Sequence, residues 1–122
     1  MRVFKFGGAS VKDADGIKNV YDVLQKVGYE DVILVVSAMG KTTNALEVVI
    51  KNYFDKSAEL NSSVQEIKKY HNQILLDLFE DEKHEVFTAV KALFSELEYF
   101  LAHNKSPNYN FVYDQIVSFG EL

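Results

Sequence analysis

Apolar positions recur along this chain with two different periods. Residues 1–40 carry a β–α–β pattern. Val3-Phe4-Lys5-Phe6 reads as a short strand that Gly7-Gly8 stops. Ile17, Val20, Tyr21, Leu24 and Val27 then return at helical spacing, with Asp13 placed as an N-cap and Gly28 as the C′ residue. After Asp31, the run Val32-Ile33-Leu34-Val35-Val36 has no polar alternation, which predicts a strand buried on both faces. Strand, crossover helix and second apolar strand together predict a parallel pair with a right-handed connection.

From residue 44 to 103 the period is helical. Asn44-Ala45-Leu46-Glu47 and Ser63-Val64-Gln65-Glu66 each set a polar cap ahead of an acid at N3, predicting two helix starts. Val64, Ile67, His71, Ile74, Leu75 and Leu78 share one face of the second helix. A third is predicted from about Glu82 to His103, with Val86, Val90, Leu93, Phe94, Leu97 and Leu101 inward. Asn104 to Asn110 holds the only proline, Pro107, and reads as a loop. A last helix is predicted to begin near Phe111, with Val112, Ile116 and Phe119 as its apolar markers. The expected architecture is α/β. A parallel βαβ unit with ligand loops occupies 1–43, helices occupy 44–103, and a loop followed by helix occupies 104–122. Two strong strands are few for an open parallel sheet, so a larger parent domain is expected.

Composition narrows the function. With 122 residues, 48% hydrophobic and 25% charged, the chain is globular and of single-domain size. It has no cysteine, which excludes a disulfide framework, a thiolate zinc site and a thiol nucleophile. The apolar run 32–36 is too short to span a bilayer, and Gly7-Gly8 interrupts the N-terminus before any signal-length stretch. A cytoplasmic protein without a membrane partner is expected. The net charge is −5, Arg2 is the only arginine, and the lysines are scattered among acids, so nucleic acid is not an expected partner. A phosphate site remains open to such a chain, because backbone N–H groups bind anions without net positive charge.

Two segments could carry chemistry. The first is Lys5-Phe6-Gly7-Gly8-Ala9-Ser10. A glycine pair at a strand's carboxyl end lets backbone approach a ligand, and a neighbouring lysine can neutralise a transferring phosphoryl group. The same residues also suit a plain turn with a solvated lysine. The second runs from Val35 to Asn44 and leads from strand to helix, a usual place for a ligand in an α/β sheet. Gly40-Lys41-Thr42 invites a Walker A reading, but the motif's first glycine falls on Val35, inside the strand. Ser37 and Thr43 could hold an anion there, or simply cap the helix. His71, His84 and His103 share no metal-ligand spacing and read as helix-face residues, so no metal ligand is expected among them. Glu80-Asp81-Glu82 reads as a solvated turn ahead of a helix, and Phe87, Phe94, Tyr99 and Phe100 as packing residues.

Together these segments resemble the aspartokinases of the amino acid kinase family. Lys5-Phe6-Gly7-Gly8-Ala9-Ser10-Val11 is similar to the family's K-F-G-G-[TS]-S-V, with Ala9 where a hydroxyl residue is usual. Val36 to Asn44 is similar to V-S-A-M-G-x-T-T-[ND], and Phe119-Gly120-Glu121-Leu122 to the opening of a G-E-x-x-[SA] helix. The resemblance implies a carbamate kinase-like α/β/α sandwich and ATP-dependent phosphorylation of the L-aspartate side-chain carboxylate, with Mg2+ accompanying ATP. It implies that Lys5 is catalytic and that Lys5, Gly7, Gly8, Ser10 and Ser37 lie along the phosphates. Ser37, Thr43 and Glu121 would meet the amino-acid substrate. Separately, strand 32–36 is apolar on both faces and short of neighbours in a two-stranded sheet, so self-association into a homo-oligomer is expected. The family's second substrate motif, adenine-side strands and ACT domains have no counterpart in these residues, so the 122 residues alone are expected to be inactive. The alternatives are another amino acid kinase, acting for example on glutamate or carbamate, and a non-catalytic α/β interaction domain.

Overall fold

A computed structural model describes residues 1–122, which divide into two compact units, Met1–Thr42 and Thr43–Leu122.

The first unit contains strand β1 (Arg2–Phe6), helix α1 (Ala14–Val27) and strand β2 (Val32–Val36). The strands pair in parallel, in register from Arg2 opposite Val32 to Phe6 opposite Val36. Asp13 starts α1 as its sequence position predicts. Its backbone is extended, and its carboxylate accepts from the Gly16 N–H at 2.8 Å. Gly28 ends the helix at φ 82°, where a side chain would be strained, and donates its N–H to the Leu24 carbonyl. Arg2 adds a positive charge at that end: its guanidinium donates to the Val27 carbonyl at 2.7 Å and lies 5.5 Å from the Phe4 ring centre.

One expectation for this unit is corrected. Ile33, Leu34, Val35 and Val36 are 44–52% exposed, so β2 is not buried on both faces. Its composition is that of a central strand, but the sheet consists of β1 and β2 alone. With only two strands, β2 has no neighbour beyond β1 to complete its burial.

The second unit is helical: α2 (Thr42–Phe54), α3 (Leu60–Leu78), α4 (Glu85–His103) and α5 (Tyr109–Ser118). All four helices feed one core. Leu46, Val49 and Ile50 come from α2, Val64 and Ile67 from α3, Leu97 from α4, and Val112 and Ile116 from α5. The predicted faces of α3, α4 and α5 are therefore the ones that pack.

The helix starts differ from prediction, each for a local reason. Ser63 does not cap α3; it lies inside the helix and donates its hydroxyl to the Leu60 carbonyl at 2.7 Å. The chain enters α3 through a tight turn in which the Ser57 hydroxyl oxygen accepts from the Glu59 N–H. Helix α4 starts after the acidic run, because Asp81 folds back to accept from the Lys83 N–H. His84 then caps α4, its Nδ1 accepting from the Val86 N–H at 3.1 Å while the ring stacks on Phe79 with centroids 4.5 Å apart. It is a cap rather than a helix-face residue. Asn108 starts α5 by accepting from the Phe111 N–H at 3.0 Å. In the same unit the Tyr113 phenol donates to the Glu47 carboxylate at 3.0 Å, and that hydrogen bond, with the carboxylate's charge, holds the phenol above its ordinary pKa.

Candidate functional site: the turns after the two parallel strands

Parallel strands end on the same edge of a sheet, so β1 and β2 deliver their following turns side by side. The Ser37 N–H donates to the Phe6 carbonyl at 3.0 Å and carries the ladder one residue past the last paired position. The Gly40 N–H then donates to the Gly8 carbonyl, also at 3.0 Å, and joins the two turns directly. Gly40 has φ 56°, a conformation that favours glycine. The first turn closes on itself, with the Ser10 N–H donating to the Gly7 carbonyl and the Val11 N–H to the Gly8 carbonyl.

The two glycines of the first turn play different parts. A Cβ on Gly8 would run into the Gly40 carbonyl oxygen and stand 3.2 Å from that of Ala38. Gly8 is therefore required by packing between the turns. A Cβ on Gly7 would meet nothing within 4 Å, and Gly7 has no positive φ. No contact of the chain accounts for glycine at position 7. The N–H groups of Gly8, Ala9, Ala38 and Met39 donate to no other group of the chain. They are the donors an anion at this edge could use.

Gly7, Gly8, Ser10 and Ser37 are thus gathered at the carboxyl edge of the two-stranded sheet. Lys5 lies one residue before the last pair of the sheet, opposite Val35, and is exposed. Because Val35 is a paired strand residue, the wide loop of a Walker A motif is absent here. The Ser37 hydroxyl donates to the Ala38 carbonyl at 2.8 Å and caps no helix. The hydroxyl that secures the start of α2 is that of Thr42, which donates to the Met39 carbonyl together with the Thr42 N–H. Thr43 and Glu121 belong to the second unit. Thr43 is half-buried in the first turn of α2. Glu121 follows α5 in a turn, exposed, with its N–H donating to the Ser118 carbonyl at 3.1 Å. The packing role of Gly8 against Gly40 was not evident from either motif read separately; only the shared edge of the sheet reveals it.

The sequence model described as the amino acid kinase family matches residues 1–122. The chain belongs to the amino acid kinase family. Among relatives within that family, it is 28% identical over 121 residues to the bifunctional aspartokinase/homoserine dehydrogenase 2 of Escherichia coli, a match covering 99% of this chain and 15% of that protein. It is 35% identical over 79 residues to the chloroplastic aspartokinase 1 of Arabidopsis thaliana, covering 62% of this chain and 14% of the relative. The fold is shared with E. coli aspartokinase III in complex with aspartate and ADP, at a TM-score of 0.72 and 23% identity over 99% of this chain and 26% of that one. It is shared too with the aspartate kinase of Clostridium acetobutylicum, at a TM-score of 0.66 and 16% identity over 100% of this chain and 29% of that one. The chain therefore spans a minor part of each of these aspartokinases, and its fold is the α/β fold of the amino acid kinase family.

Proposed function

We propose that this chain supplies the phosphate-binding turns of an aspartate kinase, which transfers the γ-phosphoryl group of ATP to the side-chain carboxylate of L-aspartate. The product is 4-phospho-L-aspartate, the precursor of lysine, threonine and methionine. The observation that carries the reading is the joined pair of turns at the carboxyl edge of β1 and β2, where Gly7 has no steric neighbour and the Gly8 and Ala9 N–H groups have no acceptor within the chain.

The chemistry suits this arrangement. A carboxylate nucleophile is already ionised at neutral pH, so no general base is required. Positioning and charge neutralisation then supply most of the catalysis. Lys5 would neutralise charge on the transferring phosphoryl group. Gly7, Gly8, Ser10 and Ser37 would hold the phosphates through backbone and hydroxyl donors. Ser37 and Thr43 would also meet the aspartate, and Glu121 would pair with its ammonium. Mg2+ would enter with ATP. A cytoplasmic location and a homo-oligomeric enzyme go with this reading.

The test uses the full-length protein that contains this chain. Acyl phosphate formed from ATP and an amino acid is trapped with hydroxylamine and measured as hydroxamate. Trapping with aspartate, but not with glutamate or carbamate, is expected. Trapping only with glutamate or carbamate would assign a different acceptor, and no trapping with any of them would leave a binding domain.

A further inference from the structure

The second unit contains a groove of about 430 Å3 between α3 and α4 that shares no residue with the candidate phosphate turns. Its floor is apolar, formed by Leu75 of α3 and by Phe87, Val90 and Phe94 of α4. Its polar boundary includes Lys68 and Lys69 on one helix and Lys91 on the other. No aspartate or glutamate lines it, although the whole chain carries a net charge of −5. Lys68 is engaged by Glu98 at 3.4 Å, and neither Lys69 nor Lys91 forms an ion pair.

Helical spacing puts these residues together. Lys68, Asn72 and Leu75 fall on successive turns of α3, and Phe87, Val90, Lys91 and Phe94 on one face of α4. The lysine stems can border the apolar floor while their ammonium groups stay in water. An apolar floor bordered by two unpaired lysines, one on each helix, selects against two kinds of ligand. A neutral hydrophobe leaves the ammonium groups unused, and a small hydrophilic anion gains nothing from the rings below.

We propose that this groove binds a small amphiphilic anion, one with a flat apolar body and a single carboxylate, sulfonate or phosphate group. Lys69 and Lys91 take the anionic group, and Phe87, Val90 and Phe94 take the apolar body.

The probe is anilinonaphthalene sulfonate, added to the 122-residue chain and followed by amide chemical shifts and by fluorescence. Saturable binding is expected, with a dissociation constant on the order of tens of micromolar for a ligand of about 20 heavy atoms. The shifted amides should lie in residues 65–75 and 87–94. The Lys69→Gln, Lys91→Gln double variant should weaken binding by roughly five- to thirtyfold, whereas Lys69→Arg with Lys91→Arg should retain it. The neutral parent, phenylnaphthylamine, should bind no better than the double variant binds the sulfonate. Shifts confined to the exposed strands β1 and β2 would overturn the proposal. So would equal binding of the charged and neutral probes, or a double glutamine variant with unchanged affinity.

Discussion

Replacing Gly8 with alanine tests the joined turns directly. The new methyl group would collide with the Gly40 carbonyl oxygen and crowd that of Ala38 at 3.2 Å. Both obstacles are backbone, so neither can swing aside as a side-chain tip would. Relief requires the turns to separate, which breaks the hydrogen bond from the Gly40 N–H to the Gly8 carbonyl. Loss of that bond costs about 1 kcal/mol. The overlap itself costs about 1–3 kcal/mol, by analogy with overpacked cores. The closed edge carries the overlap and the open edge has lost the bond, so the two do not add, and the penalty is about 1–3 kcal/mol, or roughly 5- to 150-fold in the opening equilibrium of this edge. Gly7→Ala is the matched control. Its methyl group meets nothing within 4 Å, and the site has no positive φ, so stability should change by less than about 1 kcal/mol. Amide hydrogen exchange at Ser37 and Gly40 reads the opening, since both N–H groups bond across the edge. Gly8→Ala should accelerate both, up to unfolding of the unit, and Gly7→Ala neither. In the full-length enzyme Gly7→Ala should nonetheless raise KM for ATP, because its methyl group enters ligand space. Equal acceleration by both variants, or by neither, would refute the division of roles between the two glycines.

Other expectations follow from single groups. Lys5→Ala in the full-length enzyme should lower kcat by about 100-fold or more with little change in stability, as measured by steady-state kinetics beside thermal unfolding. Glu121→Gln should raise KM for aspartate far more than KM for ATP; equal effects would make it an ordinary turn residue. The Tyr113 phenol is held above its ordinary pKa of 10.0 first by its hydrogen bond to Glu47, then by that carboxylate's charge. Because the folded value is the higher one, the stabilisation is fully present below pH 10.0 and is lost as pH rises through the folded value. Ultraviolet titration should show one late-ionising tyrosine that Tyr113→Phe removes and Glu47→Gln moves earlier. The 122-residue chain should self-associate through the exposed Ile33, Leu34, Val35 and Val36, and sedimentation equilibrium showing a monomer throughout the micromolar range would exclude this.

The elements were legible in the sequence wherever burial and period agree. Val64, Ile67, Ile74 and Leu75 lie on the predicted face of α3 and are buried, and Asp13 and Gly28 bound α1 as their cap chemistry requires. Boundaries were less legible because several residues compete for each cap. A Ser-x-x-Glu pattern at Ser63 looks like a start, yet the turn at Ser57–Glu59 begins the helix earlier and leaves Ser63 inside it. His84 is a poor cap by residue type, yet its N–H bonds the Asp81 carbonyl, its ring stacks on Phe79, and its Nδ1 accepts from the Val86 N–H. Exposure of β2 could not be read from its composition, since an apolar run records the burial a strand is suited to and not the neighbours it has. The groove between α3 and α4 was equally hidden, because its lysines and aromatics each look ordinary on their own helix.

Why the candidate site is written mainly in glycines follows from the proposed reaction. A nucleophile that needs no deprotonation needs no activating base, so catalysis does not require a perturbed histidine or carboxylate. What it does require is donors fixed before the phosphate arrives, and backbone N–H groups meet that need only where the chain is held still. The hydrogen bond from Gly40 to Gly8 holds one turn against the other, and the lack of a side chain at Gly8 lets them come close enough to form it. The stiffness that Gly8 and Gly40 provide is therefore a precondition for what Gly7 and the free N–H groups can bind. On this argument a variant that loosens the edge should lose ATP affinity even though it removes no phosphate donor. Gly8→Ala should thus impair both stability and nucleotide binding, whereas Gly7→Ala should impair binding alone.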